Sequence, residues 1–279
     1  MTVPTTALHD GTSIPQLGFG VFQVPPADTR DVVGQALEVG YRHIDTAQMY
    51  GNEAGVGQAI KDSGLPREEL YVTTKLNNNN HEPARARRSL EESLAHLGEI
   101  DLFLIHWPLP TRYDGDFVST WEAMLAFQRE GLVRSVGVSN FQPDHLDRIV
   151  SATGVAPVVN QVEVHPYLRN EDVRAANARH GVATEAWAPI AKGRVNDDAA
   201  IRGVAEELGR TPAQVTLRWH LQRGDIVFPK STRRERMEEN FDVLGFDLSP
   251  AQMEVLDGLD RGEDGRTGPN PDAFDVIPD

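Results

Sequence analysis

Short apolar runs alternate with longer segments of helical period along almost the whole chain. The runs LGFGV, YRHID, LYVTTKL, DLFLIHW, VRSVGVSN, VVNQVEV, VATEAWAP and DIVFPKS read as eight strands. Helical spacing follows each of them: over 28–39, 53–61, 83–96, 118–130, 143–153 and 171–180, then over two stretches, 197–209 and 211–222, after the seventh. Segments 233–244 and 249–260 follow the eighth. Gly40, Gly131 and Gly181 stand just past three of these helices, where a left-handed residue favours glycine. Ahead of the series, TALHDGTSIPQL predicts a β-hairpin with Asp10-Gly11 as a two-residue turn.

Eight strand-then-helix units predict parallel strands joined by crossover helices. The cores FLI, VGV, VVN and IVF lack strict alternation, as strands covered on both faces do. A doubly wound sheet uses the same unit, but eight without a break favour a closed (β/α)8 barrel. The expected architecture is therefore an α/β TIM barrel with an N-terminal hairpin, one domain over residues 1–279. In such barrels the chemistry gathers at the C-terminal ends of the strands. Those ends carry Asp45, Lys75, His106, Ser139 with Asn140, Gln161 with Glu163 and His165, Trp187, and Lys230 with Ser231.

Composition narrows the classes of function. A net charge of −15 opposes nucleic-acid binding, which needs a basic face, but leaves room for a local basic pocket. The absence of cysteine excludes disulfides, thiolate metal sites and a thiol nucleophile, and fits a reducing cytoplasm. No charged-then-apolar leader opens the sequence, and no apolar run reaches membrane-spanning length.

Singly, each strand-end residue has an ordinary role: Asp45 as a turn cap, Lys75 as a solvated charge, His106 as a core histidine. The barrel makes strands two, three and four neighbours, which brings a carboxylate, an ammonium and an imidazole together, with Tyr50 in the loop after strand two. A buried lysine needs a carboxylate, and Asp45 is placed to supply it. An ammonium beside a phenol is expected to lower the Tyr50 pKa and make a general acid, while His106 can orient a carbonyl oxygen. This set polarises C=O but holds no nucleophile, so it needs a hydride from outside the protein. A metal-dependent hydrolase would need His43, Asp45, His106 and His165 to converge, with Lys75 repelling the ion.

After the eighth strand, FPKSTRRERMEEN places Lys230, Ser231, Arg233, Arg234 and Arg236 at the start of a helix. The same stretch can be a solvated face balanced by Glu235, Glu238 and Glu239, or a phosphate site, which this architecture favours after strands seven and eight. GFGVFQ and GVGQAI lack the glycine spacing of a dinucleotide turn, and there is no P-loop.

The stretches GYRHIDTAQMYGNE, TTKL, LIHWP, GVSN, NQVEVHP and PKSTRRERMEEN, in that order, resemble the aldo-keto reductases over nearly the whole chain. Within that family the hairpin, VPPADT, EVGYRHIDTA, RWHLQ and the short tail are most similar to the bacterial 2,5-diketo-D-gluconic acid reductases. The resemblance implies a (β/α)8 barrel that reduces aldehydes and ketones with NADPH, without metal; a cytoplasmic monomer is the expectation. It implies a tetrad of Asp45, Tyr50, Lys75 and His106, with Tyr50 the proton donor. It places nicotinamide contacts at Ser139, Asn140 and Gln161 and a stacking ring at Trp187. Lys230, Ser231 and Arg236 fall at the adenosine phosphate, Glu239 and Asn240 at the adenine. The basic residues imply NADPH in preference to NADH. Phe22, Met49 and Trp107 are expected pocket walls. Asn77 stands where relatives have tryptophan, which predicts a wider or more polar pocket. Ala188, Ile190 and Ala191 depart from the glycine-containing loop of close relatives. The turn-rich tail is expected either to close the site or to fray. The alternative is a nucleotide-binding barrel with a regulatory or structural role and little turnover.

Overall fold

A computed structural model describes residues 3–278; Met1, Thr2 and Asp279, the ends of the predicted domain, lie outside the described residues. Strands β1 (Thr5–Ala7) and β2 (Ser13–Pro15) pair antiparallel as the expected hairpin. Its turn is longer than predicted. Leu8 N donates to Thr12 O at 2.9 Å and Gly11 N to Leu8 O at 3.1 Å, so the loop holds three residues and Gly11 takes φ +86°. The Asp10 carboxylate accepts from Thr12 N at 3.0 Å and sets that geometry, which a two-residue turn could not provide.

The remaining strands are β3 (Phe19–Gly20), β4 (His43–Asp45), β5 (Tyr71–Leu76), β6 (Leu102–Ile105), β7 (Ser135–Ser139), β8 (Val159–Glu163), β9 (Ala183–Trp187) and β10 (Ile226–Val227). They form one parallel sheet in sequential order. Its edges meet where Gly18 N donates to Val227 O at 2.7 Å and Val227 N to Gln16 O at 2.9 Å, which closes the barrel. The crossovers are α1 (Pro26–Val39), α2 (Glu53–Ser63), α3 (Pro83–Leu97), α4 (Val118–Arg129), α5 (Pro143–Thr153) and α6 (Glu171–Arg179). Two helices, α7 (Ala199–Leu208) and α8 (Pro212–Gln222), lie between β9 and β10, and α9 (Arg234–Phe241) and α10 (Pro250–Asp257) follow. Proline at the first turn opens α1, α3, α5, α8 and α10, a position that loses no helical hydrogen bond.

Two apolar layers result. Outward strand residues such as Ile44, Val72, Phe103 and Val138 pack under the helices in the main core. Inward residues near the strand starts, among them Tyr71, Leu102, Leu104 and Ile226, pack with Leu8 and Ile14 of the hairpin, which plugs the N-terminal end. Chemistry is thereby confined to the opposite end. No helix among the described residues is long and apolar enough to cross a membrane.

The helical ring is tightest at Gly57 on α2, where a Cβ would lie 1.9 Å from the carbonyl oxygen of His96 on α3. Gly57→Ala is expected to destabilise the protein by about 1–3 kcal/mol, the usual cost of overpacking. A thermal melt reads this directly, and an unchanged midpoint would mean that α3 yields at no cost.

Candidate active site

Period-two pleating turns His43 and Asp45 of β4, and Thr73 and Lys75 of β5, into the barrel. Lys75 is wholly buried, and its Nζ donates to Asp45 Oδ1 at 2.7 Å and to Thr46 O at 2.9 Å. Tyr50 arrives on a single 3-10 turn, Gln48–Tyr50, and its Oη lies 3.5 Å from Lys75 Nζ. His106, just past β6, meets the Tyr50 ring edge-on at 5.8 Å between centroids. The four predicted residues thus share one buried cluster. His43 takes no part; its Nε2 bonds Thr73 Oγ1 at 3.0 Å, and Lys75 occupies Asp45, so no metal set forms from these groups.

The electrostatics correct one expectation. Burial raises the Tyr50 pKa above its ordinary value; Lys75 pulls it down, but the nearby Asp45 charge opposes that pull. The net direction is upward because burial is the largest influence, and the ammonium, shared with a carboxylate 2.7 Å away, does not overcome it. Tyr50 therefore rests as a phenol. Burial opposes the Lys75 charge, yet Asp45, Tyr50 and Glu185 together hold the ammonium above its usual range. Burial and Lys75 push His106 well below the ordinary imidazole value, so that ring is neutral.

Beside this cluster β7 and β8 bring Ser139, Asn140 and Gln161 together. Ser139 Oγ donates to Gln161 O at 2.9 Å, and Asn140 Nδ2 to His106 O at 2.9 Å. Asn140 takes φ +65°, a left-handed turn that asparagine tolerates, and its Oδ1 accepts from Trp187 Nε1 at 2.8 Å. Gln161 Nε2 gives one N–H to Asp45 Oδ2 and the other to Glu185 Oε2, both at 2.8 Å. Its amide oxygen has no protein partner among the described residues, so it is a free acceptor that suits the N–H of a ligand amide.

Past β10, Ser231 Oγ accepts from Arg233 N at 3.1 Å and shapes the entry to α9. Arg234 pairs with Glu38 at 2.5 Å and Glu238 at 3.0 Å, as the solvated-face reading expects. Lys230, Arg233 and Arg236 are exposed and form no salt bridge among the described residues, which leaves them open to an anion. Asn240 is buried, and Glu239 accepts from Thr211 Oγ1 at 2.8 Å.

Around the mouth, Phe22 is 54% exposed and packs on Tyr50 at 5.0 Å, Met49 is half-buried, and Trp107 is buried. Asn77 turns back on its own backbone: its side chain accepts from Asn78 N, and its N–H reaches Gln48 Oε1, both at 2.8 Å. The tail crosses the mouth rather than fraying. Glu163 accepts from Thr267 N at 2.6 Å and Gly268 N at 3.1 Å, and a Cβ at Gly268 would lie 2.4 Å from the Trp187 ring. Further on, Phe274 packs tilted against Trp107 at 4.2 Å between centroids, and Asn78 Nδ2 donates to Val276 O at 2.9 Å. His165 belongs to the same anchor, 3.1 Å from Glu163 Oε1.

Glu185 was not among the expected residues, though its signal was available: a glutamate amid the apolar residues of a strand covered on both faces must be either paired or protonated. Burial and the Asp45 charge push its carboxyl up to about 8.

A profile of the Aldo/keto reductase family matches residues 16–261. The chain is 46% identical over 279 residues to methylglyoxal reductase DkgA of Escherichia coli (strain K12), covering 98% of this chain and 99% of that protein. It is 45% identical over 273 residues to an aldo-keto reductase of Mycolicibacterium smegmatis, covering 97% and 98%. Among solved structures, a Gox0644 mutant in complex with NADPH superposes with a TM-score of 0.93 at 44% identity, covering 98% of this chain and 99% of that one. A Bombyx mori aldo-keto reductase in complex with NADP gives 0.87 at 35%, covering 93% and 94%.

Proposed function

The chain belongs to the aldo/keto reductase family, and on that footing we propose that it is an NADPH-dependent reductase of small aldehydes, ketones, dicarbonyls such as methylglyoxal, or keto-sugars. The observation that carries the reading is the Tyr50 hydroxyl, half-buried beside the buried Lys75–Asp45 ion pair and the neutral His106 ring. When bound, NADPH supplies the hydride. Ser139, Asn140, Gln161 and Trp187 would hold its nicotinamide end, and Lys230, Ser231, Arg236, Glu239 and Asn240 its adenosine end. His106 orients the carbonyl oxygen, Tyr50 Oη delivers a proton to it, and the Lys75 ammonium stabilises the phenolate left behind. Phe22, Met49, Asn77 and Trp107 line the substrate side, with Phe274 over Trp107. The proposal extends to a single domain over 1–279 acting as a cytoplasmic monomer. The lack of cysteine fits a reducing compartment.

An NADPH-oxidation screen across dicarbonyls, keto-sugars, aromatic aldehydes and keto-acids tests the reading and ranks the substrates by kcat/KM. Tight NADPH binding without turnover on any of them would instead favour a regulatory or structural barrel. For the cofactor, Arg236→Ala is expected to raise KM for NADPH by about tenfold, the scale of one charge-assisted phosphate contact, with little change in KM for NADH. Equal losses for both cofactors would remove Arg236 from the 2′-phosphate.

A further inference from the structure

Glu185 is wholly buried beside the reacting cluster, and the mechanism above has no use for it. Parallel pairing of β8 with β9 sets it directly opposite Gln161. Its Oε2 accepts from Gln161 Nε2 at 2.8 Å, while Oε1 is buried without a partner. The facing groups are His43 and Asp45 from β4, Tyr71 and Lys75 from β5, and Gln161 from β8. None offers it a cation of its own. Lys75 is bound to Asp45, and His43, with Nε2 4.0 Å away, is kept neutral by burial.

The amide geometry gives this carboxyl a task. An amide has two N–H groups on one atom, and here one goes to Asp45 and the other to Glu185. A flipped amide would set its oxygen against both acids at once. We propose that Glu185 is a positioning residue: by accepting one N–H of Gln161 it fixes which way that amide points, braces Asp45 against Lys75, and leaves the Gln161 oxygen as the free acceptor of the site. The role needs an uncharged carboxyl. An ionised Glu185 would place a second anion beside Asp45, with one ammonium between them. Since burial and Asp45 raise its pKa to about 8, Glu185 is neutral at physiological pH and ionises in mild alkali.

The inference rests on the reductase reading, and two variants test it. Glu185→Gln keeps an acceptor without a charge. It is expected to retain wild-type kcat/KM at neutral pH and to lose the decline that the wild type shows above about pH 8. Glu185→Ala removes the acceptor and is expected to weaken NADPH affinity, read by fluorescence quenching, by about tenfold, the effect of one lost buried hydrogen bond. A third readout needs no turnover. The folded chain keeps a proton on Glu185 that the unfolded chain releases near pH 4, so the contribution of Glu185 to wild-type stability falls as pH rises from there to about 8. Glu185→Gln should therefore melt above wild type at pH 8 and no higher than wild type near pH 4. A wild-type alkaline limb in Glu185→Gln overturns the proposal even if Glu185→Ala does not fold. So does Glu185→Ala with unchanged NADPH affinity, or Glu185→Gln as impaired as Glu185→Ala. Should these variants behave as wild type while Tyr50→Phe is inactive, this inference alone fails; turnover by Tyr50→Phe sinks the reading beneath it.

Discussion

Tyr50→Phe is expected to lower kcat for carbonyl reduction by about 100- to 10,000-fold, the contribution of a positioned proton donor, with NADPH affinity and melting temperature close to wild type. The substitution removes one oxygen and keeps the ring that packs against Phe22 at 5.0 Å and His106 at 5.8 Å. The lost bond to Lys75 is long, 3.5 Å, and the ammonium keeps Asp45 and Thr46 as partners, so little stability goes with it. What disappears is a proton within reach of the carbonyl oxygen. Neutral His106 can orient that oxygen, but burial and Lys75 keep it from carrying the extra proton a donor would need. Steady-state kinetics on the best substrate of the screen, with a thermal melt of the same sample, measures both sides. Turnover within threefold of wild type would move the donor role elsewhere in the cluster.

Much of this was legible in the chain, for a physical reason. Strands under crossover helices must be apolar outward, so Ile44, Val72, Phe103 and Val138 announce themselves whatever the partner strand is. The inward positions are harder. Lys75 stood out near the end of its strand and Gln161 within the NQVEVHP motif, whereas Glu185, mid-strand and two residues before Trp187, had only its apolar setting to mark it. The eighth strand was drawn over seven residues and pairs over two, since Pro229 has no N–H to give and the chain turns out toward Lys230. The direction of the Tyr50 shift was beyond the sequence altogether. Spacing can place an ammonium and its carboxylate near a phenol, but the burial that outweighs the ammonium exists only once the barrel closes.

Lys75 poses the sharpest separation of folding from chemistry. Lys75→Met leaves Asp45 buried with Gln161 as its one remaining side-chain donor and is expected to cost about 3–5 kcal/mol of stability, the penalty for orphaning a buried ion. Asp45 can relieve the cost by taking up a proton, which raises its folded pKa above the unfolded value. Stability gained that way is present at low pH and lost as pH climbs through the raised pKa, so the deficit against wild type should be small in acid and largest at neutral and alkaline pH. Adding Asp45→Asn removes the orphaned charge and keeps an amide in its place, so the double variant should regain most of the stability. It should not regain turnover, because nothing cationic then faces the Tyr50 phenolate. Urea melts at two pH values, run beside NADPH oxidation on the same three proteins, separate the terms. A double variant that recovers both stability and rate would make the ion pair a folding device only, and Tyr50 would need another source of stabilisation for the charge it acquires.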